Sequence, residues 1–250
     1  TETTTITVPA FTITTIGTST INIAITTTND TYLSNNSVSK KVYVNNIGFG
    51  NNLNTFENPT DELITYNDGG AGSLWEKGIP TGTLLNTASS GAEVYGTNID
   101  GPYTDSTKEY LLSNCYELSS IVSPVLKFKM AYNLELNYDI VYVEYSTDSG
   151  ESWSILGNIN SQPNWYNSNR TNATSGVDND CQNCPGSQWT GDNTTLTEYA
   201  YDFVLNATNG ETDLTSEPNV VFRIVFYSDS NTAAEGAILD DLIVEGEQDD

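Results

Sequence analysis

The sequence contains no histidine and few cationic residues, and both shortages exclude classes of function. Without histidine, neither a Ser-His-Asp triad nor a Cys-His pair can form, and zinc sites that use histidine are impossible. Lysine and arginine together number 8 against 33 aspartates and glutamates, which gives a formal net charge of −25. Such a chain repels phosphate backbones, so nucleic-acid binding by phosphate neutralisation is excluded and binding to anionic membrane surfaces is disfavoured.

Long apolar runs and a leader segment are also missing from the sequence. No stretch of about 18 apolar residues occurs, so no membrane-spanning helix is predicted. The chain opens with Thr1-Glu2-Thr3 and lacks a basic start, which leads us to expect a mature or excised fragment. The acidic composition, with little lysine and much threonine and asparagine, favours a protein outside the cytoplasm.

Apolar and polar residues alternate with a period of two along much of the chain, and helical periodicity is nearly absent. This pattern predicts strands at 110–112, 125–130, 140–145, 153–156, 199–205, 220–226 and 237–244. Asp148-Ser149-Gly150-Glu151 has the composition of a hairpin turn between two of them. Short strands separated by Gly, Asn and Asp predict an all-β antiparallel sandwich. The irregular segment from Asn158 to Asp192 is a candidate functional loop, because plain connections are shorter.

Residues 1–46 form a separate, Thr-rich segment for which three or four strands are predicted, at 5–8, 11–13, 21–25 and 42–44. An independent immunoglobulin-like sandwich needs about 100 residues. Two interpretations are open: a decoration that pairs with the main sheet, or the closing strands of a sandwich whose front half lies outside this chain. We favour the second. In both cases we expect the segment not to fold alone, because so few strands bury too little apolar surface.

Residues 47–250 carry an ordered set of motifs, namely Trp75-Glu76-Lys77-Gly78-Ile79-Pro80-Thr81-Gly82, Thr97–Gly101, Glu109–Ser113, Val143–Gly150 with Trp153, and Glu235–Val244. The set resembles the MAM-like jelly-roll modules of secreted and cell-surface proteins of Bacteroidota, which include adhesins and metalloproteases. The resemblance implies an antiparallel jelly-roll β-sandwich and export by the type IX secretion route. Asn35-Asn36-Ser37, before Lys40-Lys41-Val42, resembles the closing strands of Ig-like adhesion domains that precede such modules.

The acidic pair Asp240-Asp241 stands inside an apolar strand, where neighbouring side chains point to opposite faces. One carboxylate must then face inward, which requires compensation by a cation or by hydrogen bonds. The resembled modules place calcium there, between the last-strand Asp and a first-strand Glu, a position that Glu57 fits. Asp68 and Asp61 are further oxygen ligands of the type calcium uses. The alternative is that the pair is held by Arg223 or by backbone N–H groups.

The three cysteines are Cys115, Cys181 and Cys184, and their pairing is not transferable, since animal MAM domains carry four framework cysteines. Cys181-Gln182-Asn183-Cys184 has redox spacing, but the βαβ context of a redox motif is missing. We predict a local disulfide between Cys181 and Cys184 that clasps the long loop. Free thiols, or pairing of one of the two with Cys115, remain open.

Aromatic residues in loop-like contexts suit carbohydrate binding, since their faces stack on sugar rings while Asn and Asp accept hydroxyl hydrogen bonds. Trp165, Tyr166 and Trp189, in the long loop, are predicted to be exposed and to bind ligand, whereas Trp75 and Trp153 are predicted to be core. Asp105-Ser106-Thr107 matches a short O-glycosylation motif of Bacteroidota, which makes Ser106 a candidate site.

The sequence therefore predicts a non-catalytic, calcium-stabilised adhesion or ligand-binding module of a secreted or cell-surface protein. Its expected partners are a glycan or other cell-surface ligand, other domains of the same polypeptide, and the secretion machinery. One alternative is an accessory module of an exported metalloprotease. A polysaccharide-active enzyme is a further alternative, because two carboxylates suffice for glycoside hydrolysis; with 33 acids, however, a suitable pair arises by chance.

Overall fold

The computed structural model describes residues 5, 7, 10–26, 28–68, 73–171, 181 and 183–248. Within these residues the regular structure is mainly antiparallel β-sheet, so the predicted all-β class is confirmed. The chain divides into two compact units, Thr1–Asn45 (unit 1) and Asn46–Asp250 (unit 2). None of the described helices is long and apolar enough to cross a membrane.

Unit 1 contains, in its described part, a two-stranded antiparallel hairpin of β1 (Gly17–Ala24) and β2 (Ser37–Val44). A 3-10 turn at Leu33–Asn35 lies between them. The prediction of a strand at 11–13 is wrong, because Phe11 is 60% exposed and residues 11–13 pair with none of the described strands. The predicted strand at 5–8 lies partly outside the described residues.

Unit 2 is built from two six-stranded sheets within its described residues. Two 3-10 turns, Pro59–Asp61 and Leu118–Ser120, and the helix α1 (Phe203–Thr208) interrupt the strands. The strands are β3 (Ile47–Gly48), β4 (Ile64–Asn67), β5 (Glu76–Gly78), β6 (Val94–Gly96), β7 (Lys108–Tyr116), β8 (Ile121–Asn133), β9 (Ile140–Ser146), β10 (Ser154–Ile155), β11 (Pro163–Asn164), β12 (Asp192–Asp202), β13 (Val220–Tyr227) and β14 (Gly236–Gln248).

Each sheet pairs strands that are distant in sequence. Sheet I has the order β10-β9-β13-β7-β3, and β4 also pairs with β7. Sheet II has the order β11-β12-β8-β14-β6-β5. All neighbours are antiparallel except β3 and β7. The most continuously apolar strand, β13, lies at the centre of sheet I, where both of its edges are paired and its residues are almost all buried.

The predicted hairpin turn after β9 is present, since β9 and β10 pair on either side of it. Ser149 and Gly150 take φ values of +62° and +86° there. The carboxylate of Asp148 accepts the backbone N–H of Ser152 at 2.9 Å and the hydroxyl of Ser146 at 2.7 Å. The Ser152 hydroxyl also donates to this carboxylate and has the largest effect on it. Together these donors lower the pKa of Asp148 to about 2.

The predicted strand at 199–205 ends earlier than the apolar pattern indicates. Asp202 closes β12, and its carboxylate accepts the backbone N–H of Leu205 at 2.8 Å, so it is the N-cap of α1. This cap stabilises the helix at a point where Phe203 and Val204 would otherwise favour a strand. Phe203 then packs on Phe222 of sheet I, with ring centroids 5.8 Å apart. The helix thereby fixes the end of β12 beside sheet I.

Candidate functional site

Glu57, the predicted first-strand ligand, lies just after an isolated antiparallel bridge and not within a strand. The bridge joins Asn54 to Leu242 by backbone hydrogen bonds of 2.9 and 3.0 Å, which brings the start of unit 2 beside β14. The carboxylate oxygen Oε1 of Glu57 accepts the backbone N–H groups of Glu93 at 2.7 Å and Ala92 at 2.8 Å. These two donors hold the pKa of Glu57 below its usual value.

Asp240 accepts hydrogen bonds from the same segment of the chain, a few residues before Ala92 and Glu93. Its Oδ2 accepts the backbone N–H groups of Ser89 at 2.7 Å and Ser90 at 3.0 Å, and its Oδ1 accepts the N–H of Asp241 at 2.8 Å. Asp240 is fully buried, which raises its pKa, and the N–H donors oppose that effect. Of the alternatives left open by the sequence, the backbone N–H groups hold Asp240, whereas Arg223 pairs with Glu144.

Asp240 and Asp241 do not point to opposite faces, and the expectation of strict alternation is wrong at this point. The pairing of β14 with β8 shifts register between Asp240 and Ile243, and Asp241 takes a φ of +53°. This bulge turns the Asp241 carboxylate toward the loop, where Oδ1 accepts the Ser90 hydroxyl at 2.6 Å. Three of the predicted metal ligands therefore meet at residues 89–93, which we call the 89–93 loop.

The fourth predicted ligand, Asp68, lies elsewhere, beyond the end of β4 on sheet I, where it accepts a hydrogen bond from the hydroxyl of Tyr110. Among the described residues, no three of Glu57, Asp68, Asp240 and Asp241 bring carboxylate oxygens within 4.8 Å of one another. The calcium site thus stays a prediction. Asp68 is only 11 residues from Glu57 in sequence, and nothing in the sequence indicated that it lies at sheet I and not beside β14 of sheet II.

A different acidic group has the close spacing that the predicted set lacks. Glu135, Asp139 and Asp229, which we call the Asp139 group, place carboxylate oxygens within 4.8 Å of one another. Asp139 is fully buried; its Oδ1 accepts the Asp229 backbone N–H at 2.8 Å, and Tyr103 donates its hydroxyl to Oδ2. Burial raises the pKa of Asp139 to about 6, with a contribution from the Asp229 charge.

The sequence did contain a signal for the Asp139 group. Asp139 directly precedes β9, and Asp229 follows shortly after β13. Antiparallel neighbours bring the start of one strand beside the end of the other, and Ile140 is indeed paired with Tyr227. That signal is incomplete, because the pairing of β9 with β13 is not readable from either strand alone.

Trp165, Tyr166 and Trp189 are buried, at 4%, 5% and 0% exposure, so the prediction that they are exposed is wrong. Their polar atoms bond to the backbone: Trp165 Nε1 to the Leu156 carbonyl at 2.9 Å, Trp189 Nε1 to the Trp165 carbonyl at 3.1 Å, and Tyr166 to Val143. Within the described residues of the long loop, β11 pairs with β12, and the large rings gain more by burial than by exposure. These rings do not present a ligand surface.

The structure joins Cys181 and Cys184 in a disulfide, with their Cα atoms 5.7 Å apart. Cys115 is a free, partly buried cysteine, and burial raises the pKa of its thiol. Ser106 is exposed in the loop before β7, with a φ of +58°. Its O-glycosylation stays a prediction.

An open cleft of about 290 Å³ lies where β9, β10, β12 and the turn after α1 come together. Tyr145 and Tyr201 contribute aromatic rings, Asn158 contributes an amide, and Glu211 contributes a carboxylate. We call it the Tyr145 cleft. Gly210, which takes a φ of +94°, turns the chain after α1 and aims Glu211 back toward the sheets.

The Glu211 carboxylate is held in the cleft by three donors. Its Oε1 accepts the Asn158 amide at 3.0 Å and the Ser161 hydroxyl at 2.6 Å, and its Oε2 accepts the Tyr201 hydroxyl at 2.9 Å. Burial and the bond to Glu211 raise the pKa of Tyr201, so its hydroxyl stays a donor. A Cβ at Gly157 would lie 2.8 Å from the Tyr201 ring, so glycine is required there.

Sequence reasoning missed three of the four residues that define the Tyr145 cleft. The signal that was available is Asn158, which begins the segment predicted to be a functional loop. Tyr145, Tyr201 and Glu211 belong to three other parts of the chain, namely β9, β12 and the turn after α1, which only the tertiary fold brings together.

Comparisons with known proteins give distant likenesses. No protein-family model matches the chain. Bacillopeptidase F of Bacillus subtilis (strain 168) is 36% identical over 91 residues, which is 36% of this chain and 6% of that protein. The chain therefore spans a small part of the relative that it matches.

Solved structures with a similar fold include two cleaved adhesin domains of Lys-gingipain. The K1 domain, from Porphyromonas gingivalis W83, is 12% identical with a TM-score of 0.43, covering 78% of this chain and 97% of that domain. The K2 domain is 16% identical with a TM-score of 0.41, covering 77% of this chain and 96% of that domain. The module TmCBM61, in complex with β-1,4-galactotriose, is 10% identical with a TM-score of 0.38, covering 76% of this chain and 97% of that one. Likenesses this distant carry no argument about ligand or activity.

Proposed function

We propose that this chain is a non-catalytic adhesion or ligand-binding module of an exported protein. The observation that supports the proposal is that carboxylates at the 89–93 loop accept hydrogen bonds from its backbone. Glu57 and Asp240, which are far apart in sequence, hold this loop through four backbone N–H groups. Carboxylates fixed as acceptors in this way support a loop and are poorly suited to proton transfer or nucleophilic attack. Supported loops on a β-sandwich are the parts from which binding surfaces are built.

Calcium stabilisation is the second part of the proposal, with Glu57, Asp240 and Asp241 as ligands. Each carboxylate offers about four acceptor sites, and the observed bonds occupy two on Glu57, three on Asp240 and one on Asp241. Calcium prefers such oxygen ligands and completes its shell with backbone carbonyls and water. Asp68 is left out of the proposed set because it lies at Tyr110 on sheet I.

Location outside the cell is the third part of the proposal. The Cys181–Cys184 disulfide is typical of oxidising compartments, and the net charge of −25 suits a surface-exposed module. Membership of the MAM-like modules and export by the type IX route rest on the ordered sequence motifs. The similarity to a segment of bacillopeptidase F favours, as the alternative, an accessory module of an exported peptidase.

A single experiment tests the proposed function. The purified 250-residue chain is applied to an array of neutral and anionic glycans and cell-surface proteins, with calcium and with chelator, and the supernatants are analysed by mass spectrometry for cleavage products. We expect retention without products, with uncharged partners favoured because the net charge repels anions. Cleavage of a polysaccharide or peptide that disappears when one carboxylate is replaced would contradict the proposal.

A further inference from the structure

We infer that the Tyr145 cleft binds the end of a neutral saccharide. The inference rests on the proposed function as a binding module and names its site and ligand class. The cleft has a volume of about 290 Å³, close to the lower end of the roughly 300–1,000 Å³ found for small-molecule sites. A space of this size suits a terminal sugar better than a long internal stretch of polymer.

The polar side of the cleft is organised before any ligand arrives. Glu211 is fixed by donors from Asn158, Ser161 and Tyr201, which belong to two different parts of the chain. Three bonds leave about one of the four acceptor sites of the carboxylate for a hydroxyl donor. A fixed acceptor of this kind binds without the loss of side-chain freedom that weakens flexible contacts.

The apolar side of the cleft is formed by Tyr145 and Ile155, both partly exposed, with the buried Leu156 behind them. An aromatic ring beside a hydroxyl acceptor matches a sugar, which has a C–H face and hydroxyls on its edge. Thr212 stands exposed at the cleft and adds a hydroxyl that can donate or accept.

The charge of the cleft favours a neutral ligand. Among the described residues that line it, Glu211 is the one ionisable carboxylate, and no cationic residue accompanies it. Anionic sugars would be repelled by Glu211 and by the net charge of −25. A basic peptide is less well matched, since a lysine presents one compact charge whereas the polar groups here are spread around the wall.

The test titrates the 250-residue chain with neutral oligosaccharides of glucose, galactose and mannose and, separately, with oligolysine. Binding is measured by ligand-observed NMR and calorimetry at low and high salt. Tyr145→Ala removes the ring, Tyr145→Phe keeps it, and Thr212→Trp fills the cleft. Tyr138→Ala is the matched control, because Tyr138 precedes the opposite end of β9. Circular dichroism and melting curves of every variant verify that the fold is intact.

We expect at least one oligosaccharide to bind with little dependence on salt. Tyr145→Ala and Thr212→Trp should each weaken binding by about tenfold or more, as for a central contact residue. Tyr145→Phe and Tyr138→Ala should stay within about twofold of the parent chain. Three results would each overturn the inference. They are an oligosaccharide affinity that neither Tyr145→Ala nor Thr212→Trp lowers, the absence of binding by any oligosaccharide, and salt-sensitive binding of oligolysine in the cleft. Those results leave the proposed function standing, since product formation is what contradicts it.

Discussion

The 89–93 loop and the Asp139 group are both places where carboxylates gather, yet they satisfy their charges in opposite ways. At the loop, Glu57 and Asp240 face backbone N–H donors at 2.7–3.0 Å. In the Asp139 group the carboxylates face one another within 4.8 Å. The first arrangement supplies positive dipoles to each charge, whereas the second places like charges together in a partly buried space.

The difference teaches that an acidic residue in an apolar strand needs a donor and does not by itself require a cation. Asp240 is as buried as Asp139, but three N–H donors oppose the rise in its pKa. Asp139 has its pKa raised to about 6 despite its bonds to Tyr103 and Asp229. The stability of the 89–93 loop should therefore depend on its hydrogen bonds from backbone N–H donors, and that of the Asp139 group on pH.

The largest effect is expected from Asp240→Asn. The amide keeps one acceptor oxygen but presents an N–H₂ group where Asp240 now accepts an N–H from Ser89, Ser90 or Asp241. Leaving a buried donor without its charged acceptor should lower the free energy of unfolding by about 3 kcal/mol, measured by urea denaturation at neutral pH.

Asp241→Asn is the control for this prediction. The Asp241 carboxylate accepts a rotatable Ser90 hydroxyl, which can accept from an amide as readily as it now donates. Its effect should stay below about 1 kcal/mol. Equal effects of the two substitutions would show that the N–H donors at Asp240 do not set the stability of the loop.

The same contrast shows what the sequence can and cannot predict. The turn after β9 follows from Asp148-Ser149-Gly150, because local hydrogen bonds and a positive φ decide it. The sequence indicated that a buried carboxylate of the acidic pair in β14 needs a cation or hydrogen-bond donors. It did not identify the donors, which lie about 150 residues earlier in the chain. The bulge at Asp241 is a register shift in the pairing of β14 with β8, and no period-two pattern contains it.

The prediction that Trp165, Tyr166 and Trp189 are exposed and bind ligand was wrong for a related reason. Polar surroundings in the sequence suggested that Trp165 and Trp189 were exposed, yet each indole N–H donates to a backbone carbonyl, that of Leu156 just before the loop for Trp165 and that of Trp165 for Trp189. Loop composition gives no indication of which way a long segment folds. Apart from Asn158, the residues of the Tyr145 cleft could not be predicted, because its walls come from parts of the chain that only the tertiary fold unites.

The second prediction concerns pH and the Asp139 group. A carboxylic acid whose folded pKa is raised contributes stability that is present below its unfolded pKa and is lost as the pH rises through the folded value. For Asp139 the window runs from its usual value of 3.8 to about 6. After allowance for partial solvent screening, the loss should be at most about 2 kcal/mol.

Asp139→Asn should remove this loss, because the amide carries no charge and still accepts the Asp229 N–H. The measurement is urea unfolding of both proteins in chelator across this pH window. The difference between them is the quantity to follow, since groups with a lowered pKa, such as Asp148, act in the opposite direction. A variant with the same pH slope as the parent would show that Asp139 is not the group responsible.

The smallest effect on stability is expected from calcium binding. This effect shows whether the ion lies at the 89–93 loop or at the Asp139 group. At a free calcium concentration of one to ten times the dissociation constant, binding stabilises by about 0.4–1.4 kcal/mol, which corresponds to a melting shift of about 1–5 °C for a chain of this size. Glu57→Gln preserves an oxygen for the 89–93 loop but removes the charge, and Asp229→Asn is the matched change in the Asp139 group. If calcium lies at the loop, as proposed, Glu57→Gln should abolish the shift between calcium and chelator while Asp229→Asn keeps it. The reverse result would move the ion to the Asp139 group, and identical melts of the parent protein in calcium and chelator would contradict calcium stabilisation at either place.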